Sequence, residues 1–380
     1  MRKYLLMAPG PTSLPPQVLL AMAKPVIHHR TDEFKAILKE VNEGLQHIFQ
    51  TSNPVITFSA SGTGAMEAAV VNTLSRGDRA LVVRGGKFGE RWGELCEAYG
   101  VEVMPLDVEW GRAVDPAAVA SALKKNPDIK AVFTTLCETS TCVHNDIEAI
   151  GKAVASYPAI LVVDAISGLC ADDLKTDAWS VDVVVAGSQK GLMLPPGLSF
   201  ASISAKAREA VKKSNLPKFY LSYDKALKSL AKTDTPFTSA VSLIYGLRES
   251  LALIRQEGLE NVVKRHARLA RATREAALAL GLELLSKAPS NVATAIIMPA
   301  GMDADAVRKK LTRDFSITVA GGQDKLKGRI IRVAHLGYCE EADVITAISA
   351  LEMVLRQLGH ACEPGAGVAA AEKAFAHYHD

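Results

Sequence analysis

Between residues 55 and 205 the chain repeats one pattern: a short run of consecutive apolar residues, then a longer stretch of helical spacing. The runs at 55–58, 80–83, 131–134, 160–163, 183–185 and 200–203 predict strands. Polar residues do not alternate within them, so both faces of each strand must be covered. That predicts a largely parallel sheet under helices. Upstream, Phe34, Ile37, Leu38, Val41, Leu45, Ile48 and Phe49 share one helical face, and Thr31 or Asp32 can cap that helix. Downstream, residues 206–240 read as mixed and helical. A long helix is predicted after Pro236, through Leu243, Leu247, Leu251 and Ile254 to Gly258, and a second over 259–281. Strands at 294–298 and 330–334, a helix after Asp303 and a closing helix over 341–358 make a small α+β unit. Residues 1–30, with Pro9, Pro11, Pro15, Pro16 and Pro25, read as irregular chain that must lie over something or be disordered, with no evident role within this chain. The last twenty residues, rich in Ala and Gly, read as a weakly held tail.

Composition narrows the class without naming a chemistry. A chain of 380 residues can bury a large core and form two domains. A net charge of +3, with scattered basic pairs, gives no footprint for nucleic acid or an anionic membrane. No run approaches the ~18–20 apolar residues of a membrane span. Arg2 and Lys3 precede only a short apolar stretch, which is no secretion signal, and residues 376–380 match no retention or peroxisomal tripeptide. The six cysteines show no C-x-x-C, so reduced thiols and a cytoplasmic location are expected. No metal site is expected either: there is no H-E-x-x-H, and on a regular strand His28 and His29 could not both face one ligand.

Three segments carry chemistry. The run 55–58 leads into Ser59-Ala60-Ser61-Gly62-Thr63-Gly64 and a good helix former, Ala65 to Val71. A strand, a turn of small residues and a helix start make an anion site from free N–H groups and the helix dipole, although alone the pattern is also an ordinary βα turn. It is neither a Walker loop nor a full G-x-G-x-x-G. Next, Ile160-Leu161-Val162-Val163 ends in Asp164, at the strand end where open α/β sheets bind ligands; alone, such an Asp can equally cap a turn. Finally, Gly187-Ser188-Gln189-Lys190-Gly191 follows a wholly apolar run. Burial lowers a lysine's pKa and frees a neutral amine, and flanking glycines admit a ligand closely. An anion cup at Ser61, Gly62 and Thr63, an acid, and a lysine 26 residues after it are what a pyridoxal phosphate (PLP) site requires.

With these segments the chain resembles the class V aminotransferases of fold type I, in the alanine–glyoxylate and serine–glyoxylate (serine–pyruvate) branch. The motifs that carry the resemblance are APGPTSLPP, HHRTDEF, SASGTGAMEA, GKFGERW, ETSTCV, VVDAISG, GSQKG, TPFTSAVSLIYGLRESL and RVAHLG, spread to about residue 357. The resemblance implies a large domain over 21–257 with a mostly parallel seven-stranded sheet between helices. It also implies a small C-terminal α+β domain over 258–360, and a segment 1–20 on the small domain and a dimer interface; 361–380 would be the tail. Lys190 would hold the cofactor as a Schiff base and Asp164 would pair with its ring nitrogen. Gln189 would join the phosphate cup, and Ile166 and Phe88 would cover the two ring faces. Ser140 would lie near the ring oxygen, with Cys142 where a glycine is commoner. Thr235 and Thr238 match positions that complete the phosphate site of a neighbouring subunit, which implies a homodimer. Gly10 and His28 would border the substrate pocket. Arg332, a guanidinium on a small-domain strand, would grip a substrate carboxylate two-pronged, or else form an internal salt bridge. The implied activity is ping-pong transfer of an amino group from serine or alanine to glyoxylate or pyruvate. Rival readings are a phosphonate transaminase, a PLP lyase, a cysteine desulfurase using Cys339, and a non-catalytic subunit of a larger complex.

Overall fold

The structure, a computed structural model, describes residues 3–376. Arg2 and residues 377–380, used above to exclude targeting signals, lie outside them. Strands are numbered in chain order. The first five are β1 Leu5–Met7, β2 Val55–Phe58, β3 Arg79–Arg84, β4 Glu102–Asp107 and β5 Ile129–Thr135. A short ribbon follows, β6 Cys137–Glu138 with β7 Val143–His144, and then β8 Ile160–Asp164, β9 Val183–Gly187 and β10 Ser199–Ile203. The last four are β11 Glu283–Leu284, β12 Ala293–Ile297, β13 Ile317–Gly321 and β14 Ile330–Ala334.

Seven strands form one sheet in the order β2-β10-β9-β8-β5-β3-β4, and only β10 runs against its neighbours. The unbroken apolar runs follow from its two covered faces. In β8, Leu161 and Val163 join the core under the helix Asp32–Phe49, whereas Ile160 and Val162 join the core under the helix Gly62–Thr73. The edge strand β4 has no such run. Its outer positions Glu102 and Asp107 are solvated and Pro105 is tolerated there, so the apolar pattern missed it. Thr31, rather than Asp32, caps the first long helix, accepting from the Phe34 N–H.

The second sheet, β1-β13-β14-β12-β11, is antiparallel except that β1 lies parallel to β13. This corrects the reading of residues 1–30. Leu5–Met7 closes the second sheet, and Pro16–Met22 is a helix with Val18 fully buried against the helix Val241–Glu257. The prolines set the helix start rather than breaking structure, since Pro16 stands at its first position. The long helix begins at Val241, with residues 236–240 left irregular. The tail is corrected as well. Ala366–Ala376 is a helix that buries Ala371 and Phe375 against the helices Leu259–Ala279 and Glu341–Gln357. Its start is held by the Glu352 carboxylate, which accepts from the N–H groups of Gly365 and Gly367. No helix among the described residues is long and apolar enough to cross a membrane.

Candidate active site

The C-terminal ends of the central strands β8 and β9 and the start of the helix Gly62–Thr73 meet at one end of the large sheet. Glycine permits the approach. A Cβ on Gly62 would fall 2.6 Å from Ile166 Cδ1, and one on Gly187 would meet Gln189 Oε1 at 3.2 Å and Gly62 Cα at 3.6 Å. Ser61, Gly62, Ile166 and Gln189 are thereby brought together. Thr63 faces Arg91, whose Nη1 donates to Thr63 Oγ1 at 3.4 Å. The Ser61 side chain does not cap its own helix, and the buried Gln189 Oε1 has no partner among the described residues.

Lys190 follows β9 through a turn closed by Ser188, whose hydroxyl donates to Pro195 O at 2.7 Å and accepts from Leu198 N at 3.2 Å. Its Nζ donates to Pro9 O at 2.7 Å, and Thr12 Oγ1 donates to Lys190 O at 3.0 Å. Gly10 lies against the same side chain, where a Cβ would stand 2.4 Å from Lys190 Nζ. Burial pushes the Lys190 amine down to about 8, against the pull of Asp164. Asp164 is itself raised to about 7, first by burial and then by the charge of Glu138, against an N–H bond from Ile166 at 2.7 Å. A lysine and a carboxyl drawn toward each other's titration range fit a site for proton handling.

Phe88 sits in the first turn of the helix Lys87–Ala98, with Arg91 Cζ 5.0 Å from its ring centroid. Ser140 stands at the start of the helix that carries Phe88. Its hydroxyl accepts from Lys87 N at 3.0 Å and donates to Glu138 Oε1 at 2.5 Å. A buried carboxylate is a strong acceptor, so the single hydroxyl proton is committed to Glu138. Cys142 takes the left-handed conformation, φ 57°, that a glycine would adopt without strain.

Arg332 lies within β14 and is 6% exposed. Its Nε donates to Gly321 O at 3.0 Å and its Nη1 to Thr139 O at 2.7 Å. The alternative of an internal salt bridge is not realised, because no described carboxylate is hydrogen-bonded to it. Burial lowers its pKa, and an anion placed there would compensate the buried charge.

Among the described residues no hydrogen bond joins Thr235, Thr238 or His28 to this cluster. Thr235 Oγ1 bonds Phe237 O and Ser239 Oγ, each at 2.8 Å, and Thr238 is exposed. His28 is exposed, and Arg30 ties its segment to Asp234 and to Thr235 O. His28 and His29 lie in irregular chain, not on a strand, and their rings approach to 4.7 Å. The strand argument against a paired ligand therefore fails, although no group of three or more metal-ligating side chains gathers among the described residues. Cys339 is buried and its thiol is pushed up to about 12 by burial, which disfavours a thiolate nucleophile. Sequence reasoning missed Glu138, Arg91 and the Pro9 carbonyl. All three stand inside the motifs given above, but nothing in a linear pattern shows that they face the site.

Comparison with known proteins gives the same picture. The family described as "Aminotransferase class-V" matches residues 4–344. The chain is 47% identical to a protein named "Soluble hydrogenase, small subunit" from Synechococcus sp., over 98% of each chain. It is 38% identical to a serine–glyoxylate aminotransferase of Methylorubrum extorquens, covering 96% of this chain and 94% of that one. Among solved structures it resembles an alanine–glyoxylate aminotransferase from Nostoc sp., with a TM-score of 0.90 and 32% identity over 94% of this chain and 96% of that one.

Proposed function

The chain belongs to the class V aminotransferases, and from that premise we propose that it moves an amino group from serine or alanine to glyoxylate or pyruvate, in two alternating half-reactions at one site. One observation carries the reading: a half-buried lysine, a buried carboxyl and a helix start without its own cap converge at the C-terminal ends of two central strands, with a buried guanidinium supplied by the second sheet.

The N–H groups left without a side-chain cap at the start of the helix Gly62–Thr73 fit the phosphate of pyridoxal phosphate. When bound, that cofactor supplies an electron sink for the substrate's Cα–H bond. Ser61, Gly62 and Thr63 would hold its phosphate through backbone N–H groups, with Gln189 beside them. Ile166 and Phe88 would cover its ring faces. Lys190 Nζ, lowered to about 8, keeps a neutral fraction near neutral pH and can take up and return a proton. Asp164, raised to about 7 mainly by burial even with Lys190 and Arg91 pulling it down, would ionise more fully beside a protonated ring nitrogen and accept its N–H. Arg332 has two donors fixed on backbone carbonyls, which sets the guanidinium plane and leaves Nη2 for a carboxylate.

The enzyme acts as a homodimer on this reading. Thr235, Thr238 and His28 share an exposed face with Phe219, which is 69% exposed, and with Tyr220, so they would complete the site of a second copy. Six free cysteines suit a reducing, cytoplasmic location. The name borne by the Synechococcus relative favours a second reading, a non-catalytic subunit. Keeping Asp164 and Arg332 buried is costly, and weighs against a site without chemistry.

A half-reaction panel tests the proposal. The visible band of the cofactor-loaded protein is followed with serine, alanine, glycine, aspartate, 2-aminoethylphosphonate and cysteine. Serine or alanine should bleach it, and glyoxylate or pyruvate should restore it. Bleaching by 2-aminoethylphosphonate or cysteine alone points to the rival enzymes, and no visible band after PLP loading points to the subunit.

A further inference from the structure

Glu138 is a carboxylate exposed to 1%, and no described cation forms an ion pair with it. Its partners are instead the start of another element. Gly89 N donates to Oε2 at 2.8 Å and Phe88 N at 3.1 Å, while Ser140 gives its N–H at 3.2 Å and its hydroxyl at 2.5 Å to Oε1. Ser140 Oγ in turn accepts from Lys87 N at 3.0 Å. The first three N–H groups of the helix Lys87–Ala98 thus end on Glu138 and Ser140, from β6 and the turn after it. Six of the other helices are capped by the side chain of their own N-cap residue, Thr31, Asp115, Asp146, Ser204, Ser222 or Asp303. Here the N-cap is Gly86, and a Cβ on it would fall 2.3 Å from Ser140 Oγ and 2.6 Å from Glu138 Cδ.

A local Ser or Asp would cap this helix without burying an unpaired charge. What the borrowed cap adds is a fixed relation between β6 and the turn that carries Phe88. Arg91, one turn later, lies 5.0 Å from the Phe88 ring and reaches Thr63. The ring is therefore held between the Glu138 cap and the phosphate-cup residues.

We propose that Glu138 is a positioning residue that touches neither cofactor nor substrate: by capping the helix Lys87–Ala98 from β6, it sets the plane in which Phe88 meets the cofactor ring. The inference rests on the reading of Phe88 as the aromatic beside that ring.

A double-mutant cycle on PLP affinity tests it, with the full-length apo-protein titrated with PLP and the visible circular dichroism of the bound cofactor recorded. Phe88→Ala and Glu138→Ala should each weaken PLP binding, by roughly 10-fold for loss of an aligned aromatic contact, and each should diminish the dichroic band. The double variant should bind no more weakly than Phe88→Ala, because groups that act through one another do not add. Additive losses, or normal affinity and dichroism in Glu138→Ala, overturn the proposal. Unchanged affinity in Phe88→Ala alone removes the reading of Phe88, and the inference with it. If Glu138→Ala fails to fold, Gly86→Ala carries the same cycle, since its Cβ displaces both acceptors while the charge remains. Additivity there is equally contrary.

Discussion

Replacing Arg332 with lysine keeps the charge and removes the geometry. In the structure the guanidinium spans two carbonyls, Gly321 O at 3.0 Å from Nε and Thr139 O at 2.7 Å from Nη1. An ammonium at the end of an unbranched stem cannot hold both and still face a substrate. One charge-assisted bond is lost, worth about 1.5–3 kcal/mol in a buried setting. Part of that falls on stability, because a buried carbonyl is left unpaired. The part that falls on the substrate carboxylate, about 1.4 kcal/mol, raises KM roughly 10-fold. The assay is steady-state kinetics with serine and glyoxylate, alongside a PLP titration. KM should rise for both substrates, since each carries a carboxylate, while PLP affinity hardly changes, because the phosphate cup lies on the other sheet. Unaltered KM and kcat for both would make Arg332 a clamp between β14 and the Thr139 turn and nothing more.

Three further outcomes follow from the same geometry. Gly10→Ala places a Cβ 2.4 Å from Lys190 Nζ at a backbone φ of +143°, so Lys190 must shift by about 1 Å, a displacement worth about 100-fold in turnover; a kcat near that of the parent would contradict the contact. Asp164→Asn cannot hold a cationic ring nitrogen, so turnover should fall far more than PLP affinity, and near-normal turnover would leave Asp164 a turn residue. His266 is buried, accepts from Gly337 N through Nε2 at 2.9 Å and is lowered to about 4, mainly by burial. Its folded pKa lies below the unfolded one of 6.5, so the unfolded chain binds the proton first as pH falls. Stability is full above about pH 6.5 and is lost toward pH 4, by about 3 kcal/mol from this group, with His335 adding in the same direction. Denaturant melts across that window should have a shallower pH slope in His266→Gln, and an equal slope would exclude the group.

The legible parts of the molecule are those whose reasons are local. β8 could be read because every position from Ile160 to Val163 is covered, and Lys190 and Asp164 because a charge at the end of such a run needs explaining. β1 and the β6–β7 ribbon, of two or three residues each, carry no periodicity, so the placing of Glu138 could not be foreseen. The proline-rich start looked irregular because its order comes from pairing with β13, more than 300 residues away in sequence. The helix Ala366–Ala376 was hidden by small residues, which pack closely against two helices but carry little apolar signal. The arginine's alternatives, substrate or salt bridge, were separable only once its carbonyl partners were seen.

The account's central claim is that Lys190 carries the cofactor. Borohydride reduction of the PLP-loaded protein, followed by peptide mapping, tests it most directly. The account predicts one modified residue, Lys190, with no label in Lys190→Ala. A label on any other lysine, or none on a protein that still transaminates, would contradict it.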